Sequence, residues 1–384
     1  MDGYALLASA FDYWTSSGKC SRNRRQLLVH PRHDLTLSQI QSRTPSRSNK
    51  GVTLMQSATQ LHPIWRDYPA LQPELQQVMQ LMTANINIQD ADINDAILEM
   101  IHGGGKLLRP AYCLLFSQFT TTDRQRMVAL AASLETLHTA TLIHDDIVDD
   151  AALRRHHVTI QERFGKDTAV YAGDYLFVVV FKILAHYSSS FKSIQMNSEN
   201  MEKILVGEVQ QKDRHYHLDI TMAEYLQQIQ GKTAELFALS CFLGAYESGQ
   251  SSHFAQRARK AGLAIGMAFQ ILDDILDYQE VSQETGKPIL EDVAEGVYTS
   301  PLIFALQTEA KHDLLPLMRL QGAISDTQRQ EVQRLVINAG GVVQAQELAT
   351  KYTQDALAIM RKLPDQPAKT DLISLTKRLL DRHN

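Results

Sequence analysis

The chain has 384 residues, enough for one large domain or two average ones, and 44% of them are hydrophobic, which excludes a wholly disordered protein. Its 19 Gly and 11 Pro fall below average usage, which favours a helical fold. A net charge of −5 argues against a nucleic-acid partner, and three far-apart cysteines (Cys20, Cys113, Cys241) give neither a disulfide framework nor a zinc spacing, so a reducing, cytoplasmic setting is expected.

Residues 1–51 carry eight Lys/Arg against three Asp, leaving a net −10 on the rest. Residues 1–60 read as a basic, weakly ordered extension, with a targeting segment or a start near Met55 as alternatives. One all-helical domain is predicted over 65–384. Leu71, Leu75, Val78, Leu81 and Met82 repeat at three- and four-residue spacing, and so do the apolar positions of 129–147, 169–184, 201–211, 222–245 and 254–278. Amphipathic helix continues through 302–320, 326–339 and 343–363, and turns are expected at Gly103–Gly105, Gly286–Pro288 and Gly296–Pro301. The apolar run Leu176–Phe181 is closed by Lys182, far short of the roughly 20 residues that span a bilayer, so membrane contact is at most peripheral.

Two acidic pentads stand out, Asp145-Asp146-Ile147-Val148-Asp149 and Asp273-Asp274-Ile275-Leu276-Asp277, each behind an apolar helical run. Positions i and i+4 share a helix face, so Asp145 pairs with Asp149 and Asp273 with Asp277. Carboxylates one turn apart repel, and at a helix C-terminus they also oppose the macrodipole. A Mg²⁺ ion relieves that repulsion and completes its shell with water and substrate phosphate. A lone pentad reads equally as a solvated acidic helix end; two copies point to a metal-bridged polyphosphate. Neither copy has the alternating acidic loop and central Gly of a calcium EF-hand.

Cations suited to such an anion are present. Lys106 and Arg109 follow Gly103-Gly104-Gly105, whose backbone can approach a phosphate closely. Arg154 and Arg155 follow the first pentad, Lys232 with Thr233 interrupts an apolar run, and Lys287 follows the second pentad. His138 lies two turns before Asp145; alone it reads as a core histidine, and His156, His157, His215 and His217 read as surface residues.

These segments together resemble the trans-polyprenyl diphosphate synthase family. The resemblance rests on the two pentads with Arg154-Arg155 and Gly286-Lys287, on Gly105-Lys106 with Arg109-Pro110, and on Glu135–His138, Gly173–Leu176, Gly207-Glu208 with Gln211, and Gly231–Thr233. It spans about residues 100–305. It implies an all-α bundle of the isoprenoid synthase type around a central cavity, about two to three Mg²⁺ ions per site, and condensation of isopentenyl diphosphate with an allylic diphosphate. It further implies that Asp145, Asp149 and Asp273 ligate Mg²⁺, with Asp146, Asp274 and Asp277 in support. Arg154, Lys232 and Lys287 would hold the allylic diphosphate. Lys106, Arg109, His138 and Arg155 would hold isopentenyl diphosphate, with Gln211 also binding substrate. Thr233 and Gln270 would face the developing cation.

The sequence departs from the family pattern where His156 and Val158 stand for a Gly and a Pro, and near Leu290 and Val297, where the family often has Gly and Lys. Leu137, Ala140 and Thr141, lying eight, five and four positions before Asp145, offer no aromatic plug beneath the metals; Phe177 or Phe181 could still form a floor. By resemblance the product is all-trans and about six to eight prenyl units long, as in quinone side chains, with farnesyl- or geranylgeranyl-length products as the alternative. Residues 204–213 and 233–244 look most like the catalytic large subunit of two-component synthases. A homodimer, or a heterodimer with a small regulatory subunit, is therefore expected. A terpene cyclase would not need the second cationic set, and a non-catalytic partner subunit would not be expected to keep both pentads.

Overall fold

The computed structural model describes residues 61–155, 157–279 and 290–380, with backbone alone at 210–213. The expectations for residues 1–60, His156, the Gln211 side chain and Gly286-Lys287 lie outside the described residues. A 3-10 turn (Pro63–Asp67) leads into α1 (Gln72–Asn85), α2 (Ala91–His102), α3 (Leu108–Ser117) and α4 (Arg124–Val148). A small antiparallel hairpin, β1 (Leu153–Arg154) and β2 (His157–Val158), precedes α5 (Ile160–Phe164), α6 (Lys166–Tyr187) and α7 (Phe191–Asp213). Then come α8 (Met222–Ile229), a π-turn (Gln230–Ala234), α9 (Glu235–Glu247) and α10 (Ser252–Gln279). The C-terminal part holds α11 (Glu291–Glu295), α12 (Ser300–Ala305), α13 (Lys311–Met318), α14 (Asp326–Asn338), α15 (Gly341–Arg361) and α16 (Pro367–Leu380).

Local signals set the helix starts. Asp123 caps α4 by accepting from the Gln125 and Arg126 backbone N–H groups, and Thr221–Glu224 and Ser325–Gln328 form capping boxes at α8 and α14. Helix α9 is buried from Glu235 to Ala245, and α3, α4, α7 and α10 pack around it. It is apolar on every side between Leu236 and Ala245, apart from Ser240, because it has no solvent face. Gly244 lets α3 come close: a Cβ there would sit 2.1 Å from the Cys113 carbonyl oxygen.

The pattern of apolar residues predicts one helix over 222–245, whereas the chain inserts a π-turn at 230–234. The 302–320 stretch likewise divides into α12 and α13. The hairpin is not predicted, because two residues per strand carry too little alternation to read. Helix α6 is the one helix among the described residues long and apolar enough to cross a membrane by length and composition. It packs on α4, and its Ala172, Leu176, Val180 and Ile183 are buried. Its other side leaves Tyr171, Val178 and Phe181 exposed.

Candidate active site

The end of α4 presents the first pentad. Asp145 is half-buried, and desolvation raises its pKa, with the Asp149 charge adding and Lys232 and Arg154 opposing. Asp149 is exposed. Asp146 is 3% exposed and accepts from Arg154 Nε at 2.5 Å. Asp146 thus holds Arg154 beside the pentad through a carboxylate that points into the protein.

The π-turn brings Lys232 to the same place. Its Nζ lies 3.7 Å from Glu208 Oε2 on α7. Burial alone would lower the lysine pKa, but Glu208, Asp145 and Asp149 outweigh it and the net shift is upward. Burial lifts Glu208 to about 7, against the pull of Lys232 and with the push of Asp145 and Asp149. From the other side Asp292, on α11, is lifted to about 6 by burial, with Lys232 opposing and Asp273, Glu291 and Asp149 adding. One ammonium thus stands among carboxylates of three elements, α4, α7 and α11, and Asp273 of α10 acts on the last of them, Asp292. Glu208 and Asp292 are site residues that the sequence reading gave no role: Glu208 was visible only as part of a motif, and Asp292 carried no spacing signal.

The second pentad divides as the first does. Asp273 is exposed and Asp277 half-buried, whereas Asp274 is 5% exposed. Asp274 accepts from Tyr225 Oη at 2.5 Å and from Gln270 Nε2 at 2.8 Å, and Gln270 Oε1 in turn accepts from Thr233 Oγ1 at 2.6 Å. Desolvation pushes the Asp274 pKa well above the usual carboxylate range, helped by Asp292. Thr233 and Gln270 are therefore joined, and the buried Asp274 anchors this chain of bonds. Tyr225 is a further residue missed by the sequence reading.

A separate cationic pocket lies two turns down α4. A Cβ on Gly105 would come 3.2 Å from Arg155 Nη1 and 3.6 Å from Glu135 Oε1. Arg109 stacks over the Phe237 ring, its Cζ 4.8 Å from the centroid, and its buried Nε has no hydrogen-bond partner. Desolvation lowers Arg109 to about 10, with Glu135 opposing. His138 is held well below 6.5 by burial and by Arg109, Arg155 and Arg154, so it is neutral at pH 7. The Lys106 carbonyl accepts from Trp65 Nε1 at 2.9 Å, which ties the glycine loop down. Arg109 and Arg155 thus flank one buried carboxylate, Glu135, and both act on His138, while the Lys106 side chain is exposed at the end of the glycine loop.

Two departures from the family pattern have structural counterparts. Arg155, in the hairpin turn, has φ 51°. Leu290 keeps a left-handed backbone (φ 52°) where Gly would be at ease, and its side chain is fully buried. Burial of that leucine offsets the local strain. Beneath Asp145, Thr141 is half-buried, while Ala140 and Leu137 are 0% and 1% exposed. Phe177 packs on His144, 5.3 Å between centroids. Phe181 is 42% exposed on the outer side of α6, so it is not an internal floor.

Residues 90–337 match the family model described as Polyprenyl synthetase. The chain belongs to this family. As a polyprenyl synthetase it is a trans-prenyltransferase with an all-α fold. It is 31% identical to heptaprenyl diphosphate synthase component 2 of Bacillus subtilis (strain 168) over 288 residues, covering 74% of this chain and 81% of that protein. Its structure is similar to that of a geranylgeranyl pyrophosphate synthase from Lactobacillus brevis ATCC 367 (TM-score 0.80, 41% identity, 83% of this chain and 99% of the other). It is also similar to a polyprenyl synthase from Caulobacter crescentus CB15 complexed with calcium and isoprenyl diphosphate (TM-score 0.78, 30% identity, 85% and 99%).

The carboxylates of this polyprenyl synthetase suit a hard divalent cation. The donors are all oxygen, and Asp145 has a raised pKa to which the Asp149 charge contributes, a repulsion that a cation relieves. Among the described residues no three His, Cys, Asp or Glu close into a ready cage. Mg²⁺ needs none, since it takes one or two carboxylates and fills its shell with water and substrate phosphate.

Proposed function

We propose that the chain condenses isopentenyl diphosphate with an allylic diphosphate, in a Mg²⁺-dependent reaction, to give an all-trans polyprenyl diphosphate of about six to eight units. The observation that carries this reading is the pair of sites on one helix. Asp145 and Asp149 of the first pentad act on Lys232 at one end of α4, Asp273 of the second pentad acts on the neighbouring Asp292, and the Arg109–Glu135–His138–Arg155 pocket lies two turns below. A condensation of two diphosphates needs two anion sites, one ionising and one not.

In this reading Asp145, Asp149 and Asp273 hold Mg²⁺, with Asp277 in support. Bound there, the metal supplies charge that stabilises the departing diphosphate. Lys232 and Arg154 hold the allylic diphosphate, and Lys287 and Gln211 extend that set. Thr233 and Gln270 face the carbon from which diphosphate leaves. Lys106, Arg109, Arg155 and neutral His138 bind the second diphosphate without ionising it. The double bond of isopentenyl diphosphate attacks the allylic carbon, and the proton lost afterwards passes to the released diphosphate. A dry site protects the cation from water. Leu137, Ala140 and Thr141 set the depth available to the product.

The exposed face of α6 supports a two-subunit enzyme. Tyr171, Val178 and Phe181 form an apolar stripe on one side of a single helix. The first partner we propose is a second copy of this chain; the name of the Bacillus relative as a component 2 favours a distinct small subunit as the second reading. A cytoplasmic setting fits the reduced Cys113 and Cys241. The test is turnover by the purified chain with labelled isopentenyl diphosphate, farnesyl diphosphate and Mg²⁺, with products resolved by length. Products of about 30–40 carbons are expected. Absence of product, both alone and with a small-subunit partner, would overturn the reading.

A further inference from the structure

The π-turn at 230–234 carries two side chains of the candidate site, Lys232 and Thr233, and it is clasped from outside that site. The Glu235 backbone N–H donates to the Gln230 carbonyl, the i→i+5 bond that defines the turn. A second bond runs parallel to it: Gln230 Nε2 donates to Glu235 Oε1 at 3.1 Å. On an α-helix, residues five apart point about 140° away from one another. These two side chains therefore meet only because the turn is in π register. The other oxygen, Glu235 Oε2, accepts from Arg259 Nη2 on α10. Lys203 Nζ on α7 is 4.0 Å from that same oxygen. Glu235 is 2% exposed, so its carboxylate is held by these partners and not by water.

The turn is seated on both flanks. Gly231 lies against Gly207 of α7, where a Cβ on either would meet the other's Cα at 3.1 Å, and Ala234 lies against Gly266 of α10, where a Cβ would meet its Cα at 2.5 Å. The two polar members then point to opposite neighbours, Lys232 to Glu208 on α7 and Thr233 to Gln270 on α10. A return to α register would rotate residues beyond the turn by roughly 100°. Besides the buried packing of α9, the glycine and alanine seats and the Gln230–Glu235–Arg259 chain oppose that rotation, and such opposition is needed because π geometry is less favourable than α.

We propose that Gln230, Glu235 and Arg259 form a latch that fixes the π register of residues 230–234, and so act as positioning residues for Lys232 and Thr233. This rests on the reading that Lys232 holds the allylic diphosphate. The latch touches neither substrate. Its effect should fall on one substrate only, since Lys106, Arg109 and Arg155 belong to other elements.

The experiment uses the full-length protein with farnesyl and isopentenyl diphosphates and Mg²⁺. Gln230 is exposed, so Gln230→Ala tests the latch with little risk to folding. Gln230→Ala and Glu235→Ala should raise the KM for farnesyl diphosphate and lower kcat, together by on the order of 10- to 100-fold in kcat/KM. The KM for isopentenyl diphosphate should stay within about twofold. Glu235→Gln, which still accepts from Arg259, should recover most of the loss. Arg259→Met combined with Glu235→Ala should add little to either alone. Hydrogen exchange without substrate, in peptides covering 228–240, should quicken in Gln230→Ala and Glu235→Ala. Unchanged exchange in both variants would overturn the latch. Equal changes in the KM of both substrates would overturn its positioning role. An inactive unmodified enzyme with normal exchange differences would instead strike at the prenyl-transfer reading.

Discussion

Tyr225 Oη donates to Asp274 Oδ2 at 2.5 Å, and this bond separates the roles of two adjacent aspartates. Asp273 is exposed, while Asp274 is buried and also bonded to Gln270. Asp273→Ala should lower prenyl transfer by about 10²- to 10³-fold with little change in Tm. Asp274→Ala leaves a buried phenol and an amide without their acceptor and should cost about 1–3 kcal/mol of stability. Thermal unfolding alongside steady-state turnover separates the two. Equal loss of stability in both variants would show that the two carboxylates share one environment.

The pentads could be read from the sequence because i, i+4 spacing is a local property of helices. The same spacing says nothing about the residues between, so for Asp146 and Asp274 the sequence implies no more than support of the ligands. Their burial depends on Arg154 and Tyr225, which reach them from a hairpin and from α8. Glu208 and Asp292 become visible only where carboxylates of three elements meet at Lys232. The π-turn leaves no trace in a 3.6-residue pattern, since a single extra residue shifts the apolar face without breaking it. Lys232 inside an apolar run was its one sequence signal.

Glu208 should give the protein a distinctive pH dependence. Burial raises its pKa from 4.5 to about 7 in the folded state, so folding takes up a proton between those values. The unfolded chain releases that proton first as pH rises. The stabilising contribution is therefore complete below about pH 4.5, falls through the interval, and is gone above about pH 7. Glu208→Gln removes the proton uptake. The Tm of the native enzyme relative to Glu208→Gln should fall from pH 4.5 to 7, measured without metal. A difference that is flat with pH would show that Glu208 is ionised throughout.

The α6 face makes a prediction about assembly. Val178 is 63% and Phe181 42% exposed, and nothing else in the described chain covers them. A glutamate at either position places a charge in the middle of an apolar contact, which costs several kcal/mol if that contact is buried. If this face is the seam between two copies, Val178→Glu and Phe181→Glu should shift the chain to monomer by light scattering, with helical content unchanged. A native chain that is monomeric alone but binds a small subunit through this face would establish the heteromeric reading.

Product length should respond to position along α4. Thr141 lies one turn, about 5.4 Å, beneath Asp145, and Leu137 lies a further turn down the same stripe. A phenylalanine at 141 therefore meets the growing chain sooner than one at 137. Thr141→Phe should stop elongation at about 15–20 carbons, while Leu137→Phe should stop it later, and Leu137→Ala should lengthen the product. Thr141 is half-buried and loses only its hydroxyl bond to the His138 carbonyl at 2.8 Å, a cost of about 1 kcal/mol. Ala140 has no exposed surface, so Ala140→Phe must displace neighbours and should lower stability by about 1–3 kcal/mol while also shortening the product. Resolving products by length for the four variants checks the order. If Thr141→Phe and Leu137→Phe give the same distribution as the native chain, the product does not grow along this stripe, and Phe177 on α6 becomes the next position to vary.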